Sequence, residues 1–91
     1  SIEAAGLADL GGAVAGVNEG RFSIGGDIPV NPSGGVLCTN AIAVTAMIRV
    51  AEIALQVSGR AGAHQVKGAK LGIASGNGGD HQFFGTMVVE A

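Results

Sequence analysis

At 91 residues with 47% hydrophobic content, the chain is one small globular domain and not a disordered segment. A net charge of -2 and the lack of any Lys/Arg run argue against nucleic acid or an anionic membrane surface as the main partner. One cysteine cannot form an internal disulfide and no signal-peptide pattern opens the chain, so a reducing, cytoplasmic setting is expected.

Ser1 to Leu10 reads as a weak helix end, broken by Gly6 and Gly11-Gly12, and looks like the tail of a helix begun upstream. "GGAVAGVNEGRFSIGGDIP" reads as loop, with one short apolar patch around Phe22 and Ile24. Pro29 and Pro32 fix their own φ and push Ile28 and Asn31 toward extended geometry. Ser33-Gly34-Gly35 then makes a tight turn, because glycine reaches positive φ without steric cost.

A helix is predicted over Ala41 to Val57, with Thr39 or Asn40 as N-cap and Gly59 as the terminator. Its polar residues are Thr45, Arg49, Glu52 and Gln56; the four-three-four spacing draws one narrow stripe. These residues, and the short apolar run, exclude a membrane span. The rest is Ala, Val, Ile, Leu or Met, so the helix must be covered on most of its circumference.

"GRAGAHQVKGAK" reads as a polar linker carrying His64. Ala69 to Gly76 is a short strand, "GNGGDHQ" a glycine loop, and "FFGTMVVEA" a final strand. Both strands are apolar on both faces, as in sheets covered by helices on each side. The sequence offers one clear helix for that task. Gly makes up 17 residues, Tyr and Trp are absent and Phe occurs three times, so the aromatic side chains that usually carry small cores are nearly missing. A fragment of a longer chain, or life in a larger assembly, is expected.

Two spots offer chemistry. At "CTN", a thiol at a helix N-terminus would become nucleophilic, since free N–H groups and positive partial charge favour its thiolate. Equally, Cys38 can be a small apolar residue and Asn40 a cap. In "GNGGDHQ", successive glycine N–H groups can form an oxyanion site and His81 could shuttle a proton; a plain turn with a solvated His fits the same residues. "GVNEGRFSIGG" lacks the Lys-Ser/Thr end of a phosphate loop. His64 and His81 have no paired Cys or third ligand nearby, so no metal site is predicted.

The order of motifs is more specific than any one of them. "NEGRFSIGGDIPVNPSGGVL", a long Ala-rich helix, "AGAHQVKGAKLGIASGNGGDHQ" and an apolar last strand together resemble the C-terminal domain of thiolases. The similarity is to the archaeal and actinobacterial branch near the sterol carrier protein x thiolases and lipid-transfer-protein homologues. The resemblance implies an α/β fold: part of a thiolase-like half, a mixed sheet covered by helices, with residues 1–91 forming the C-terminal portion of that domain. It implies an enzyme that makes or breaks a carbon–carbon bond beside a coenzyme A thioester, which is a substrate and not a covalently bound cofactor. The family's nucleophilic cysteine lies in the N-terminal half. Its C-terminal half usually supplies a Gly-His-Pro histidine and a Cys-x-Gly-Gly loop.

With a one-residue deletion the histidine position falls on Asn40 and the proline on Ala41, and the loop cysteine falls on Gly76; Gly78 and Gly79 match. Asn40 can donate from its amide to a carbonyl oxygen, but it cannot shuttle a proton at neutral pH. The resemblance thus implies Asn40, with His81 and Cys38 nearby in sequence, as catalytic candidates. It implies Ser33, Gly34, Gly35, Gly78 and Gly79 as substrate-binding candidates. The reaction expected is acyl transfer, or retro-aldol cleavage in lipid or steroid side-chain degradation with an OB-fold and zinc-ribbon partner protein. The alternative is a non-catalytic thiolase-fold subunit that binds acyl-CoA or a partner. Association to a homodimer is expected, with no nucleic acid and no membrane span.

Overall fold

The computed structural model describes residues 2–39, 41–79 and 82–91. The chain divides into two compact units, Ser1–Pro32 and Ser33–Ala91.

In the first unit, residues 2–8 form turns and bends in place of the expected helix tail. Gly6 and Gly11 adopt φ of 71° and 82°, which a right-handed helix cannot continue through. The helix lies instead in the stretch expected to be loop: α1 spans Ala13–Asn18. The Glu3 carboxylate accepts from the Ala13 N–H at 3.1 Å, satisfying one first-turn donor from ten residues away. The Phe22 ring is buried against Gly16, where a Cβ would stand 2.6 Å from ring atom Cε2. Two backbone bonds, Ile28 N–H to Arg21 and Val30 N–H to Phe22, close the loop behind that ring. The apolar patch is therefore Phe22 alone; Ile24 is exposed. Asn31 has φ of 50°, so the chain turns there and is not extended as the following proline suggests.

In the second unit, a 3-10 turn at Gly35–Leu37 precedes α2, Thr45–Val57. The helix starts four residues later than its composition suggests. Ala43 takes φ of 73°, which lies outside a right-handed helix. The first helical residue, Thr45, donates its hydroxyl to Ala41 O at 2.8 Å. The C-terminus matches expectation. Gly59 has φ of 72°, its N–H donates to Gln56 O at 3.2 Å, and Arg60 N–H donates to Leu55 O at 2.8 Å. This is the double bond of a Schellman cap.

Strands β1, Leu71–Gly78, and β2, Phe83–Glu90, pair antiparallel, Leu71 opposite Glu90 and Gly78 opposite Phe83. Among the described residues the sheet is this antiparallel hairpin, and with the helices it makes the α/β arrangement expected of part of a thiolase-like half. β1 runs two residues further than predicted, through Asn77 and Gly78, and β2 begins at Phe83.

Helix α2 lies on one face of the hairpin, and glycines make that possible. A Cβ on Gly72 would stand 2.9 Å from Ile53 Cβ, and one on Gly76 would stand 2.6 Å from Ala46 Cβ. Four strand residues span about 13 Å and seven helix residues about 10.5 Å, so the helix runs nearly alongside β1 and in the opposite direction. Ala74 is buried between these glycines. Alternation sends Leu71 and Ile73 of β1 to the opposite face, together with Val88 opposite Ile73 and Phe84 opposite Asn77. That face is bare: Leu71 is 60% exposed and Phe84 72%. The outer side of α2 is bare too, with Met47 73% exposed. The expected burial of helix and strands on both sides is thus absent within the chain, because helix and hairpin each cover one face of the other.

Candidate functional site

The turn at Ser33–Gly35 carries the first group of candidates. Gly34 and Gly35 have φ of 88° and 61°, as the sequence predicts. A side chain at Gly34 would collide with Cys38 Sγ, so the turn holds the thiol against bare backbone. The N–H groups of Cys38 and Thr39 both donate to Gly35 O, at 3.2 Å each. Cys38 is exposed and lies seven residues before the first residue of α2. Cys38 is therefore not at the N-terminus of the long helix, where the sequence placed it. Asn40 lies outside the described residues.

The second group sits at the hairpin's tip. Gly78 belongs to β1 and pairs with Phe83; Gly79, at φ of 56°, begins the turn, and its carbonyl accepts from Gln82 N–H at 3.0 Å. A Cβ on Gly79 would meet the Phe83 ring at 3.0 Å and Gln82 Oε1 at 3.2 Å. His81 lies outside the described residues. Gly76, the place of the family's loop cysteine, lies inside the strand against Ala46.

Because α2 runs antiparallel to β1, with Ala46 at Gly76 and Ile53 at Gly72, the tip of the hairpin projects past the helix's first turn. The segment from Ser33 feeds the helix from that same end.

Residues read as a plain polar stripe have specific tasks. Arg49 Nη1 donates to Ser75 O at 2.6 Å, just before Gly76. The Glu52 carboxylate faces His64 Nε2 at 3.0 Å, with its side chain only 13% exposed. Gln56, 5% exposed, has every hydrogen-bonding position filled. Its amide donates to Glu52 Oε1 at 3.0 Å and His64 O at 2.9 Å. Its oxygen accepts from Gln65 Nε2 at 3.1 Å and Val66 N–H at 2.8 Å. The expected linker 59–70 is therefore docked, with a 3-10 turn at Gly62–His64. The signal available in the sequence was the stripe itself: four polar residues on an apolar helix need polar partners.

Among the described residues, two shallow clefts are lined by none of the candidates. One, of about 480 Å³, lies among Glu19, Arg21, Ile24 and Asp27; the other, of about 350 Å³, lies beside the C-terminal end of α2. Among the described residues no three His, Cys, Asp or Glu side chains gather to hold a metal ion, and no helix is long and apolar enough to cross a membrane.

The order of turn, helix, docked loop and glycine-tipped hairpin is matched by a family model over residues 1–91, described as thiolase C-terminal domain-like. The chain belongs to this thiolase family. Among individual proteins, this thiolase domain is 36% identical over 80 residues to an acetyl-CoA acetyltransferase of Methanothermobacter thermautotrophicus, which covers 87% of the chain and 21% of the relative. It is 36% identical over 74 residues to sterol carrier protein 2 of Oryctolagus cuniculus and 35% identical to that of Homo sapiens, covering 80% of the chain and 14% of each relative. The thiolase domain thus spans about a fifth of the archaeal relative and less of the mammalian ones. No solved structure gives a significant match.

Proposed function

We propose that the chain is the C-terminal portion of a longer thiolase-like protein that makes or breaks a carbon–carbon bond beside a coenzyme A thioester. The observation that carries this reading is the family match over residues 1–91. The acetyl-CoA acetyltransferase among its relatives supports the substrate class. In this reading the Ser33-Gly34-Gly35 turn faces substrate and Asn40 donates its side-chain amide to the thioester or ketone oxygen. The backbone at Gly78 and Gly79 supports the oxyanion that forms there. Asn40 cannot move a proton, so protons are handled by another group, for which His81 is the candidate nearest in sequence to the glycine turn. The nucleophile belongs to the rest of the longer chain; Cys38 is the candidate within residues 1–91. The 91 residues by themselves are expected to be inactive. The protein is expected to be cytoplasmic and dimeric.

The exchange of histidine for Asn40 and of the loop cysteine for Gly76 suits a reaction other than ordinary thiolysis. Retro-aldol cleavage in lipid or steroid side-chain degradation, assisted by an OB-fold and zinc-ribbon protein, is the specific form proposed. The same two exchanges also favour a second reading, a non-catalytic subunit that binds acyl-CoA or a partner. Asn40→Ala in the full-length protein tests the first. Loss of one polarising donor lowers acyl-CoA turnover by about a hundred-fold or more, while turnover at the wild-type rate removes Asn40 from the mechanism. Acyl-CoA binding without cleavage across a panel of thioesters establishes the second reading.

A further inference from the structure

The cationic side chains of the chain are unevenly placed. Of the five, Arg60, Lys67 and Lys70 fall within residues 60–70, which hold no Asp or Glu. Arg21 and Arg49 are engaged elsewhere, with Asp27 at 3.6 Å and with the carbonyl of Ser75. The two lysines line the cleft of about 350 Å³ beside the C-terminal end of α2, and among the described residues no carboxylate lines it with them. Neither ammonium has a hydrogen-bond or ion-pair partner among the described residues. The backbone N–H groups of Lys67 and Gly68 are likewise unpaired among them. These donors sit on a fixed frame. Ala69 N–H donates to Val66 O at 3.3 Å and Gly68 takes φ of 74°, so Val66–Ala69 is a tight turn with Lys67 and Gly68 at its centre. Buried Gln56 anchors the turn: its side-chain oxygen accepts from Val66 N–H at 2.8 Å, and its carbonyl accepts from Gln65 Nε2 at 2.9 Å. A helix C-terminus ordinarily repels an anion through its free carbonyls. Here they are occupied, Ala54 O by the Ser58 hydroxyl at 2.7 Å, Leu55 O by Arg60 N–H at 2.8 Å and Gln56 O by Gly59 N–H at 3.2 Å.

We propose that this cleft binds a phosphoryl group, with Lys67 and Lys70 as its counter-ions and the N–H groups of the turn as neutral donors. The charge balance selects that ligand class. A phosphate monoester carries about −1.5 to −2 charges at neutral pH, which two ammonium groups match. Like charges sharing one cleft repel each other, and a bound dianion replaces that repulsion by attraction. Lysine binds phosphate as a point charge and needs no planar geometry from it. The phosphoryl group belongs either to the coenzyme A part of an acyl thioester or to a separate phosphate compound; both offer the same chemistry. The cleft lies at Val57, the end of α2 opposite to the contact of Ala46 with Gly76. The site therefore does not rest on the carbon–carbon chemistry proposed above.

Calorimetric titration of the full-length protein with inorganic pyrophosphate, at low salt, tests this. The double variant Lys67→Gln/Lys70→Gln should weaken pyrophosphate binding by about ten-fold or more. Lys67→Arg/Lys70→Arg keeps both charges and should retain most of the affinity. Both lysines are exposed, so the unfolding midpoint should not move in either variant. Arg60→Gln removes a charge beside the cleft but not in it, and should change the affinity by less than about two-fold. A loss as large as that of Lys67→Gln marks a general effect of net charge and overturns the site. Equal binding by wild type and the double glutamine variant overturns it as well, and so does an absence of binding by wild type. Coenzyme A identifies the source. A parallel loss of coenzyme A affinity in the double glutamine variant assigns the cleft to the phosphates of the thioester. Unchanged coenzyme A affinity beside weakened pyrophosphate binding assigns it to a separate phosphate compound. A glutamate-rich peptide that binds wild type more tightly than pyrophosphate, and loses that binding in the double glutamine variant, gives the surface to an acidic protein partner and overturns the proposal.

Discussion

At the scale of single residues, Gln56 shows best how burial and hydrogen bonding trade against each other. It is the buried polar residue among those described, and its two donors and two acceptor positions are all used. Burying an amide costs free energy that only complete pairing recovers. Replacing Gln56 by Leu keeps the volume but strands Val66 N–H and takes the donor from His64 O. We expect a loss of about 2–4 kcal/mol in stability, from orphaned groups at roughly 1–3 kcal/mol each. Denaturant unfolding of the full-length protein measures it; a change under about 0.5 kcal/mol would show that water replaces the lost partners. The contact of the Glu52 carboxylate with His64 Nε2 is worth less than the glutamine, since the His64 side chain is 38% exposed and solvent screens it.

At the scale of elements, the two ends of α2 differ in how they are determined. The C-terminus is local: Gly59 in the left-handed region lets Arg60 and Gly59 N–H groups return to Leu55 and Gln56. Gly59→Ala meets no steric neighbour, so its cost is backbone alone. We expect about 1–2 kcal/mol of destabilisation, read as a lower unfolding midpoint, with no effect beyond that. Gly72→Ala is a different experiment on the same scale. Its Cβ would press on Ile53 at 2.9 Å, so helix and strand must move apart, with an overpacking cost of about 1–3 kcal/mol. Restoration by Ile53→Ala in the double variant would confirm that the clash is the cause. The N-terminus of α2 was less legible. Thr39 and Asn40 are good caps in isolation, yet the helix begins at Thr45, because Ala43 turns the chain out of helical geometry. Several residues in a row could have capped, and local chemistry does not choose among them.

At the scale of the whole molecule, the unmet burial is the dominant feature. The hairpin's outer face carries Leu71, Ile73, Phe84 and Val88 in the open, and the outer side of α2 carries Met47 and Leu55. Contiguous apolar surface of this kind on a soluble chain drives association, and a hairpin with one helix covers too little to stand firmly alone. The 91-residue chain expressed by itself should therefore self-associate and bind a hydrophobic dye, and Ile73→Lys with Phe84→Lys should reduce both. A sharp monomer in sedimentation without dye binding would contradict this. The same feature was legible in the sequence as strands apolar on both faces and a helix apolar nearly all round. What sequence patterning could not state is which side of each element the chain covers itself.

That division runs through the whole protein. Glycine chemistry, apolar runs and motif order determined from sequence alone that this is an α/β thiolase C-terminal domain, where its helix stops and where its turns lie. Each of those rests on contacts a few residues long or on the order of motifs, and both are written in the chain. The tertiary structure alone decided that Arg49 and Gln56 of the stripe bond to the chain's own backbone while Glu52 meets the His64 ring, that Gly72 and Gly76 are contact points, and that β1 runs on through Gly78. The Gln56 and Arg49 bonds depend on partners 8 and 26 residues away, whose arrival no local pattern can announce. The helix end at Gly59 was decided by a steric rule of one residue; the bond from Arg49 to Ser75 was decided by where a strand happens to lie.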